Sequence, residues 1–366
     1  MQRISVMMRP KVVLFFIILI LTVNGTAFGA ATIGMYYYPG WWPVTRWDRI
    51  KPYPEREPLL GWYDEGAVPT VNQQLAWMVD YGVGFVAFAW YWEADRIPKL
   101  QPETAIRAYL EADMRSRIPY ALLWCNHNPS PESLEEWDEI IEYWLDQHLR
   151  NPEYLRIDGK PAVFIFAPGG TGADGRASGL REQAAAIGLT PHQMLERART
   201  AARTKGLDGI YFILCIAAYQ PWVNFAVDSG VDAITAYNYH IGTEGSAGTD
   251  TPFSRSFTEL DAYYRMQWNW LLKNSPIPYF VPMTSGWDSR PWGGSSDPLH
   301  DNCAPTPQEF ETHLRAGYDT IIRYAAQTKG ICMLYAWNEY GEGGIIEPTK
   351  RHGFEFLQRV RKVFSK

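Results

Sequence analysis

The sequence predicts an α/β fold, a single (β/α)8 TIM barrel, on three observations. Short apolar segments recur eight times after the first 30 residues, amphipathic helical patterns lie between them, and the apolar segments are nearly continuous instead of alternating with polar residues. Continuous apolar segments are typical of parallel strands that are buried on both faces. Eight such strand and helix units in 366 residues favour a barrel whose active site lies at the carboxyl ends of the strands.

The predicted strands are separated by stretches long enough to hold helices. Their residues are 32–38, 84–92, 118–126, 161–167, 209–217, 232–238, 279–285 and 331–337. Clear helical patterns lie at residues 71–82, 132–149, 191–206, 257–274 and 306–327. Several of these patterns open on Thr or Ser followed by Pro or Glu, the chemistry of a helix N-terminus, and two end at Gly82 and Gly206.

A doubly wound sheet is the competing architecture. Such a sheet usually carries a glycine-rich phosphate turn after its first strand, and here the first strand is followed by "PGWWP". The sequence therefore disfavours phosphate binding. No interdomain linker or short-period repeat interrupts the pattern, so we expect one domain over residues 31–366.

The first 30 residues have the features of a signal peptide. Arg3, Arg9 and Lys11 precede the segment "VVLFFIILILTV", and small residues follow near Gly29 and Ala30. A membrane anchor is the alternative, but the uncharged apolar segment has about a dozen residues where a spanning helix needs ~20. We therefore expect residues 1–30 to be cleaved. The mature protein would be exported, periplasmic or secreted, monomeric and free of the membrane.

Charge and cysteine content exclude several classes of partner. The net charge is -6 and the basic residues are scattered, which disfavours nucleic acid and anionic membranes as partners. Of the four cysteines, Cys125, Cys215 and Cys332 lie in apolar strand-like segments, and Cys303 lies alone in a loop with no role assigned. No CxxC pair is present, so no thiolate zinc site is expected. We expect no cofactor.

Aromatic and polar side chains are concentrated where the predicted strands end. A core uses Trp sparingly because its indole N–H needs a partner, and this chain has 16. Carbohydrate sites place flat aromatic faces against sugar rings and polar groups against hydroxyls. Simple packing explains any single tryptophan, but the collective pattern favours a sugar site. The predicted substrate-binding residues are Tyr37, Trp41, Trp42, Trp90, Tyr91, Trp92, Asn126, His127, Tyr237, Asn238, His240, Trp287, Asp288, Arg290, Asn338 and Tyr340.

Cleavage of a glycosidic bond usually needs two carboxyl groups that flank the bond. The acids at predicted strand exits are Glu93, Asp95, Asp288, Glu339 and Glu342, whereas the fourth strand exits into "APGG" with no acid. The segment "AWNEYGEGG" makes Glu339 and Glu342 the predicted catalytic pair. Residues three apart in a strand point to opposite faces, so the chain has to turn between them, which Gly341 permits. A solvated acidic loop is the alternative.

A metal hydrolase is a second possibility. His127 and His240 lie at strand exits with Asp288 as a possible third ligand, but no His-x-His or His-Glu-x-x-His spacing is present. Histidines that donate to sugar hydroxyls, or structural histidines, fit the sequence better. We therefore predict no metal.

Six segments resemble one known family. They are "YYYPGWW", "EPLLGWYDEG", "YGVGFVAFAWYW", "GKPAVFIF", "GWDSRPW" and "AWNEYGEGGIIEPT". In this order they resemble the glycoside hydrolase family 99-like proteins, a group that includes endo-α-mannosidases and the WbsX-like lipopolysaccharide glycosyltransferases. The terminal motif is the most specific of the six.

The resemblance implies retaining cleavage of α-mannosidic bonds in a (β/α)8 barrel without a metal. It implies that Glu339 polarises or deprotonates the sugar's own 2-hydroxyl, which attacks the anomeric carbon to give a 1,2-anhydro sugar. Glu342 would protonate the leaving oxygen and then activate water. These roles ask that Glu342 be protonated and Glu339 ionised at working pH, and burial among Trp337 and Tyr340 would favour the protonated form of Glu342.

Three functional hypotheses follow. The first is an exported glycoside hydrolase that acts on an α-linked, mannose-like oligosaccharide or polysaccharide. The second is a glycosyltransferase of surface polysaccharide assembly, against which the signal peptide and the lack of an evident nucleotide-diphosphate site count. The third is a non-catalytic carbohydrate-binding barrel, which would keep the aromatic residues but would not need both glutamates.

Overall fold

A computed structural model describes residues 31–92, 103–171, 175–239 and 253–364 of the chain. The predicted signal peptide and the predicted site residues Glu93, Asp95 and His240 lie outside the described residues. These four ranges contain the helices and strands of the barrel.

Eight parallel strands form the central sheet, and each lies next to its neighbour in sequence. They are β1 (Thr32–Tyr37), β2 (Phe85–Trp90), β3 (Tyr120–Trp124), β4 (Lys160–Ile165), β5 (Tyr211–Cys215), β6 (Ala233–Thr235), β7 (Val281–Thr284) and β8 (Ile331–Tyr335). β8 pairs with β1, and a bridge from Ile234 to Tyr279 joins β6 to the residues before β7. The predicted (β/α)8 barrel is confirmed.

The strands form where the sequence can bury both faces. All six residues of β2 are buried, as are all five of β3, β5 and β8. In β1, Gly34 pairs with Phe85, and any Cβ at Gly34 would collide with the Phe85 ring. The glycine therefore lets this ring lie across β1. The predicted strands run up to three residues past the observed ends, because the residues that follow are still largely apolar.

Helices cover the outside of the barrel. They are α1 (Val68–Asp80), α2 (Thr104–Glu111), α3 (Leu134–Tyr143), α4 (Leu180–Ala186), α5 (Pro191–Thr204), α6 (Gln220–Asp228), α7 (Phe257–Asn274), α8 (Pro307–Arg323), α9 (Ala325–Thr328) and α10 (Glu355–Phe364). Capping boxes begin α5 at Thr190 and α8 at Thr306, as their Thr-Pro sequences predict. Within the described ranges, the helices are each too short or too polar to cross a bilayer.

Short elements complete the structure. A π-helical segment, Trp144–Leu149, continues α3 through the predicted range. The 3-10 helices are Val44–Arg49, Pro54–Arg56, Arg115–Arg117, Arg290–Trp292 and Pro298–Asn302. Two-residue antiparallel strands pair Arg156–Ile157 with β4, Gly170–Thr171 with Ala177–Ser178, and Asn338–Glu339 with Gly344–Ile345.

Candidate active site

The predicted catalytic glutamates lie on a hairpin that follows β8, formed by residues 338–345. Asn338 pairs with Ile345 and Glu339 with Gly344. The backbone N–H groups of Glu342 and Gly343 donate to the Glu339 carbonyl at 3.1 and 2.9 Å and close the turn. The left-handed position of this turn is Gly343, with φ +83°. A turn between the two acids was predicted, and it is present.

Gly341 is needed for space and not for its backbone angles, which differs from the prediction. A Cβ at Gly341 would collide with the indole of Trp292. Trp41 and Trp47 stack with ring centroids 4.3 Å apart. Trp292 stacks on Trp41 with ring centroids 6.4 Å apart and forms the exposed side of this layer. The hairpin therefore packs against a layer of tryptophans.

Two predicted substrate-binding residues hold this hairpin to β1. The side-chain amide of Asn338 accepts from the Tyr38 N–H at 2.8 Å and donates to the Tyr38 carbonyl at 2.9 Å. The indole N–H of Trp41 donates to the Asn338 carbonyl at 3.0 Å. Both side chains are fully buried. They fix the position of the predicted catalytic pair instead of facing the barrel mouth.

Each glutamate accepts a hydrogen bond from a tyrosine at the end of a barrel strand. The Tyr237 hydroxyl, beyond β6, donates to Glu339 Oε1. Tyr335 is the last residue of β8, and its hydroxyl donates to Glu342 Oε2 at 2.6 Å. Glu339 is buried and Glu342 is half-buried. Two carboxyl groups and two phenols therefore meet at the mouth.

Burial dominates the protonation of the pair. Burial raises the pKa of Glu339 well above its ordinary value, the charge of Glu342 raises it further, and the hydrogen bond from Tyr237 opposes the shift. Burial also raises the pKa of Glu342, against the hydrogen bond from Tyr335. The raised pKa of Glu342 suits the acid role. The raised pKa of Glu339 is opposite to the ionised state that its predicted role requires.

A row of rings lines the mouth beside the pair. Tyr91 contacts His127 with ring centroids 5.7 Å apart, His127 contacts Phe166 at 5.0 Å, and Phe166 contacts Tyr237 at 5.2 Å. Beyond Phe166 and Tyr237 a cavity of about 300 Å3 opens, which Asn238 also lines. The structure thus brings Tyr91, His127, Tyr237 and Asn238 together with the predicted catalytic residues.

Three other predicted residues near β2 and β3 point away from the mouth. The indole of Trp90 donates to Glu103 at 2.6 Å, and that of Trp92 donates to Glu136 of α3 at 2.9 Å. Asn126 accepts from the Ala167 N–H and donates to the Ala167 carbonyl, at 2.8 and 2.9 Å, which ties the end of β3 to that of β4. These residues support the wall of the site from behind.

Tyr37 and Tyr340 belong to a buried polar cluster behind the hairpin. Its centre is Glu347, whose carboxylate accepts from Tyr340 and Tyr63 at 2.8 Å and from Gln74 at 2.7 Å. Tyr37 donates to Gln74 at 3.0 Å. Burial raises the pKa of Glu347 to about 7. Tyr340 therefore anchors the turn that separates Glu339 from Glu342.

Asp288 is held by two arginines. Arg290 donates to both of its carboxylate oxygens, at 2.8 and 2.6 Å, and Arg56 forms a buried ion pair with it. Burial opposes ionisation, but the hydrogen bond to Arg290 and the charge of Arg56 lower the pKa of Asp288. Trp287 is buried and donates to Ser295 at 3.1 Å, and Trp42 is exposed.

No group of three or more His, Cys, Asp or Glu side chains within the described ranges is arranged to hold a metal ion. Of the residues considered as metal ligands from the sequence, His127 lies between Tyr91 and Phe166, and Asp288 is occupied by its two arginines.

Three residues at the mouth were absent from the predicted site. Tyr335 bonds Glu342, Phe166 lines the wall, and Tyr38 lies close enough to Glu339 that burial and the charge of this glutamate raise the Tyr38 pKa. All three lie at or just beyond the carboxyl end of a barrel strand. That position was the available signal, since tyrosines at strand ends were predicted elsewhere.

Solved structures share this fold. The endo-α-mannosidase of glycoside hydrolase family 99 from Bacteroides thetaiotaomicron superposes with a TM-score of 0.59 at 16% identity, over 90% of this chain and 95% of that structure. A glycoside hydrolase-like protein superposes with a TM-score of 0.65 at 14% identity, over 92% of this chain and 94% of that structure. At these identities the likeness shows the fold alone, a (β/α)8 barrel.

Sequence comparisons lead to the family. The uncharacterized protein WxcX of Xanthomonas campestris pv. campestris, strain B100, is 21% identical over 326 residues, which cover 84% of this chain and 43% of that relative. The protein WxcX of strain ATCC 33913 matches with the same values. The chain thus spans less than half the length of these relatives. The family model for glycosyltransferase WbsX matches residues 52–360, and the chain therefore belongs to this WbsX family, which confirms the resemblance seen in the sequence.

Proposed function

We propose that the protein is a retaining glycoside hydrolase that cleaves α-linked, mannose-like oligosaccharides or polysaccharides. The observation that carries the proposal is the pair Glu339 and Glu342 on one turn at the barrel mouth, each with its own tyrosine donor. The glycoside hydrolase fold supports it, and so does the ring-lined cavity beside the pair, because flat rings suit sugar faces.

In the proposed first step, Glu339 accepts the proton of the sugar 2-hydroxyl while that oxygen bonds to the anomeric carbon. The bond from this carbon to the leaving oxygen breaks, and Glu342 gives its proton to that oxygen. A 1,2-anhydro sugar results. In the second step Glu342 takes a proton from water, the water oxygen bonds to the anomeric carbon, the bond from this carbon to O2 breaks, and Glu339 returns its proton to O2.

The protonation states needed for this reaction are supported by the groups around the pair. Burial keeps a proton on Glu342 to higher pH than in water. Glu339 has to be ionised, and the Tyr237 hydroxyl stabilises that form. A bound sugar hydroxyl that donates to Glu339 would stabilise it further. Substrate binding therefore favours the base form of Glu339, with the proton of the pair on Glu342.

Export through a cleaved segment at residues 1–30, to the periplasm or beyond the cell, belongs to the same proposal, as does a monomeric state. The basic residues ahead of the apolar segment support export.

A glycosyltransferase is the second candidate, favoured by the name of the family model. Transfer uses the same acid and replaces water by a sugar hydroxyl as acceptor. The two reactions are distinguished by their products, because hydrolysis creates new reducing ends and transfer to a sugar does not.

The test uses wild type, Glu339→Gln and Glu342→Gln with a panel of α-mannans, following reducing ends. We expect turnover by wild type and a loss of at least about a hundredfold in each variant. Glu142→Gln, on the exposed side of α3, is the matched control and should keep full activity. Turnover that survives in both variants contradicts the proposed pair. NMR of the first product should show the α configuration.

A further inference from the structure

Two cavities on the β4 to β6 side of the barrel mouth share one tryptophan. The first is the cavity of about 300 Å3 that Tyr237 lines, and Tyr237 is the residue that bonds Glu339. The second, of about 480 Å3, lies along α6 from Tyr219 to Asp228, beside Arg181 of α4. Trp222 lines both. The two cavities therefore adjoin at Trp222, on the side of the barrel from which Tyr237 bonds Glu339.

The second cavity combines aromatic and polar side chains. Trp222 lies in the first turn of α6, and Tyr219, which precedes this helix, is 38% exposed. Arg181 places its guanidinium 5.3 Å from the centre of a Trp222 ring. Asn224 and Asp228 also line the cavity. Rings supply apolar faces, and the guanidinium, amide and carboxylate supply donors and acceptors.

This combination matches the chemistry of a sugar ring. A pyranose has C–H-rich faces that pack on indole or phenol, and hydroxyls around its edge that need both donors and acceptors. A nucleotide or an anionic group would call for an excess of positive charge, whereas here Arg181 is already paired with Glu182 at 2.6 Å and Asp228 lines the same cavity. The surface therefore suits a neutral glycan.

We propose that this second cavity is a remote subsite that binds a further sugar residue of the same glycan chain whose bond is cleaved at Glu339 and Glu342. The inference rests on the proposed function and deepens it. The substrate is an extended chain that runs over the β4 to β6 side of the mouth, and each cleavage engages sugar units beyond the two that flank the broken bond. Trp222 and Tyr219 are its specificity-determining residues.

The experiment measures kcat/KM for α-mannan oligosaccharides of increasing length. For wild type, kcat/KM should rise with length until the remote subsite is filled. In Trp222→Ala the ratio of kcat/KM for the longest to that for the shortest substrate should fall about tenfold, the loss expected for one ring stacked on a sugar. Tyr219→Ala should also lower the ratio. Because the Tyr219 side chain is exposed, misfolding of this variant would not explain such a loss.

Tyr324→Ala is the matched control, because Tyr324 is also an exposed aromatic, 41% accessible, and lies at the end of α8. It should keep the wild-type ratio. Equal losses for short and long substrates in Trp222→Ala, or an unchanged ratio in Tyr219→Ala, overturn the subsite.

Binding separates a failed subsite from a failed activity. If wild type cleaves none of the oligosaccharides, the proposed hydrolysis is wrong, and calorimetric titration with the same oligosaccharides then decides on the subsite. Tighter binding of longer chains that is lost in Trp222→Ala and Tyr219→Ala supports it. Absence of binding, or binding that is the same in wild type and both variants, overturns it.

Discussion

Tyr237 and Tyr335 lie edge to face with ring centroids 5.1 Å apart, and each donates its hydroxyl to a different glutamate of the hairpin formed by residues 338–345. The two tyrosines come from strands on different sides of β7, so the barrel itself sets their separation. Because each glutamate has a separate donor, the two acids can be perturbed one at a time.

Replacing Tyr237 by Phe removes the hydrogen bond that stabilises ionised Glu339. The pKa of Glu339 then rises further, because its ionised form loses a hydrogen-bond donor. We expect one limb of the pH profile of kcat/KM to move to higher pH, with a several-fold loss of activity below it. Steady-state kinetics at closely spaced pH values provide the measurement. A profile that keeps both limbs in place would show that Tyr237 does not control the pKa of Glu339.

Tyr335→Phe should act on Glu342 in the same direction, since the Tyr335 hydroxyl also lowers the pKa of its partner. The limb of the pH profile that moves in Tyr335→Phe should be the one that stays in place in Tyr237→Phe. The two variants thereby assign the limbs of the profile to the two glutamates, although their titrations are coupled. Movement of the same limb in both variants would contradict separate donors.

Gly341→Ala should lower kcat about ten- to a hundredfold, because its Cβ would collide with the Trp292 indole and displace the turn. Trp292 is 36% exposed, so Trp292→Ala should fold normally and lose little activity. The double variant should recover most of the activity that Gly341→Ala loses. If it does not, the defect comes from the backbone and not from the collision.

Arg56→Ala should lower the free energy of unfolding by about 3 kcal/mol, because it leaves Asp288 without one partner in a buried pair. Arg56 is 4% exposed and also donates to the Tyr340 carbonyl at 2.6 Å. Arg290→Ala removes the other partner, whose side chain is 50% exposed, and should cost about 1 kcal/mol or less. Urea unfolding of both variants tests this order, and equal losses would argue against a role for burial.

Glu65 provides a test of stability against pH. Burial raises its pKa to about 8 from an unfolded value of 4.5, so the folded protein binds more protons than the unfolded chain between these values. Its stabilising contribution is complete below pH 4.5 and is lost as the pH rises through about 8. Relative to wild type, Glu65→Gln should therefore gain on the order of 4 kcal/mol between pH 5 and 8. Glu142→Gln, an exposed control, should follow wild type throughout.

The fold was predictable because a parallel barrel requires a regular alternation of apolar strand segments and amphipathic helices in the sequence. Each of the eight apolar segments became a strand, and the pattern at residues 257–274 became α7 with the same bounds. Helices such as α4 and α6 were not singled out. They are short, and α6 begins on Gln-Pro without a Ser, Thr or Asp cap, so their termini carry weak signals.

The site was harder to predict because successive strand residues face opposite sides. In the segment Trp90, Tyr91 and Trp92, the middle ring lies at the mouth against His127, while the two tryptophans bond glutamates in the outer layer. A strand end can be located in a sequence, but which of its side chains faces inward depends on register. This difficulty does not arise for the predicted catalytic pair, because both acids lie on a turn that follows the strand and not within the strand itself.

The bridge between Ile234 and Tyr279 joins β6 to the residues before β7 through few backbone hydrogen bonds, which affects where the barrel can open. Two backbone hydrogen bonds join the two sides here, from Ile234 to Pro278 and from Phe280 to Ile234, whereas β2 and β3 are paired over five residues. Local unfolding starts where the fewest backbone bonds hold, so amide hydrogen exchange should be fastest along this seam. Tyr237 lies two residues beyond β6. Opening of this seam would therefore withdraw the Tyr237 hydroxyl from Glu339, so that the ionisation of Glu339 would depend on whether the barrel is open or closed.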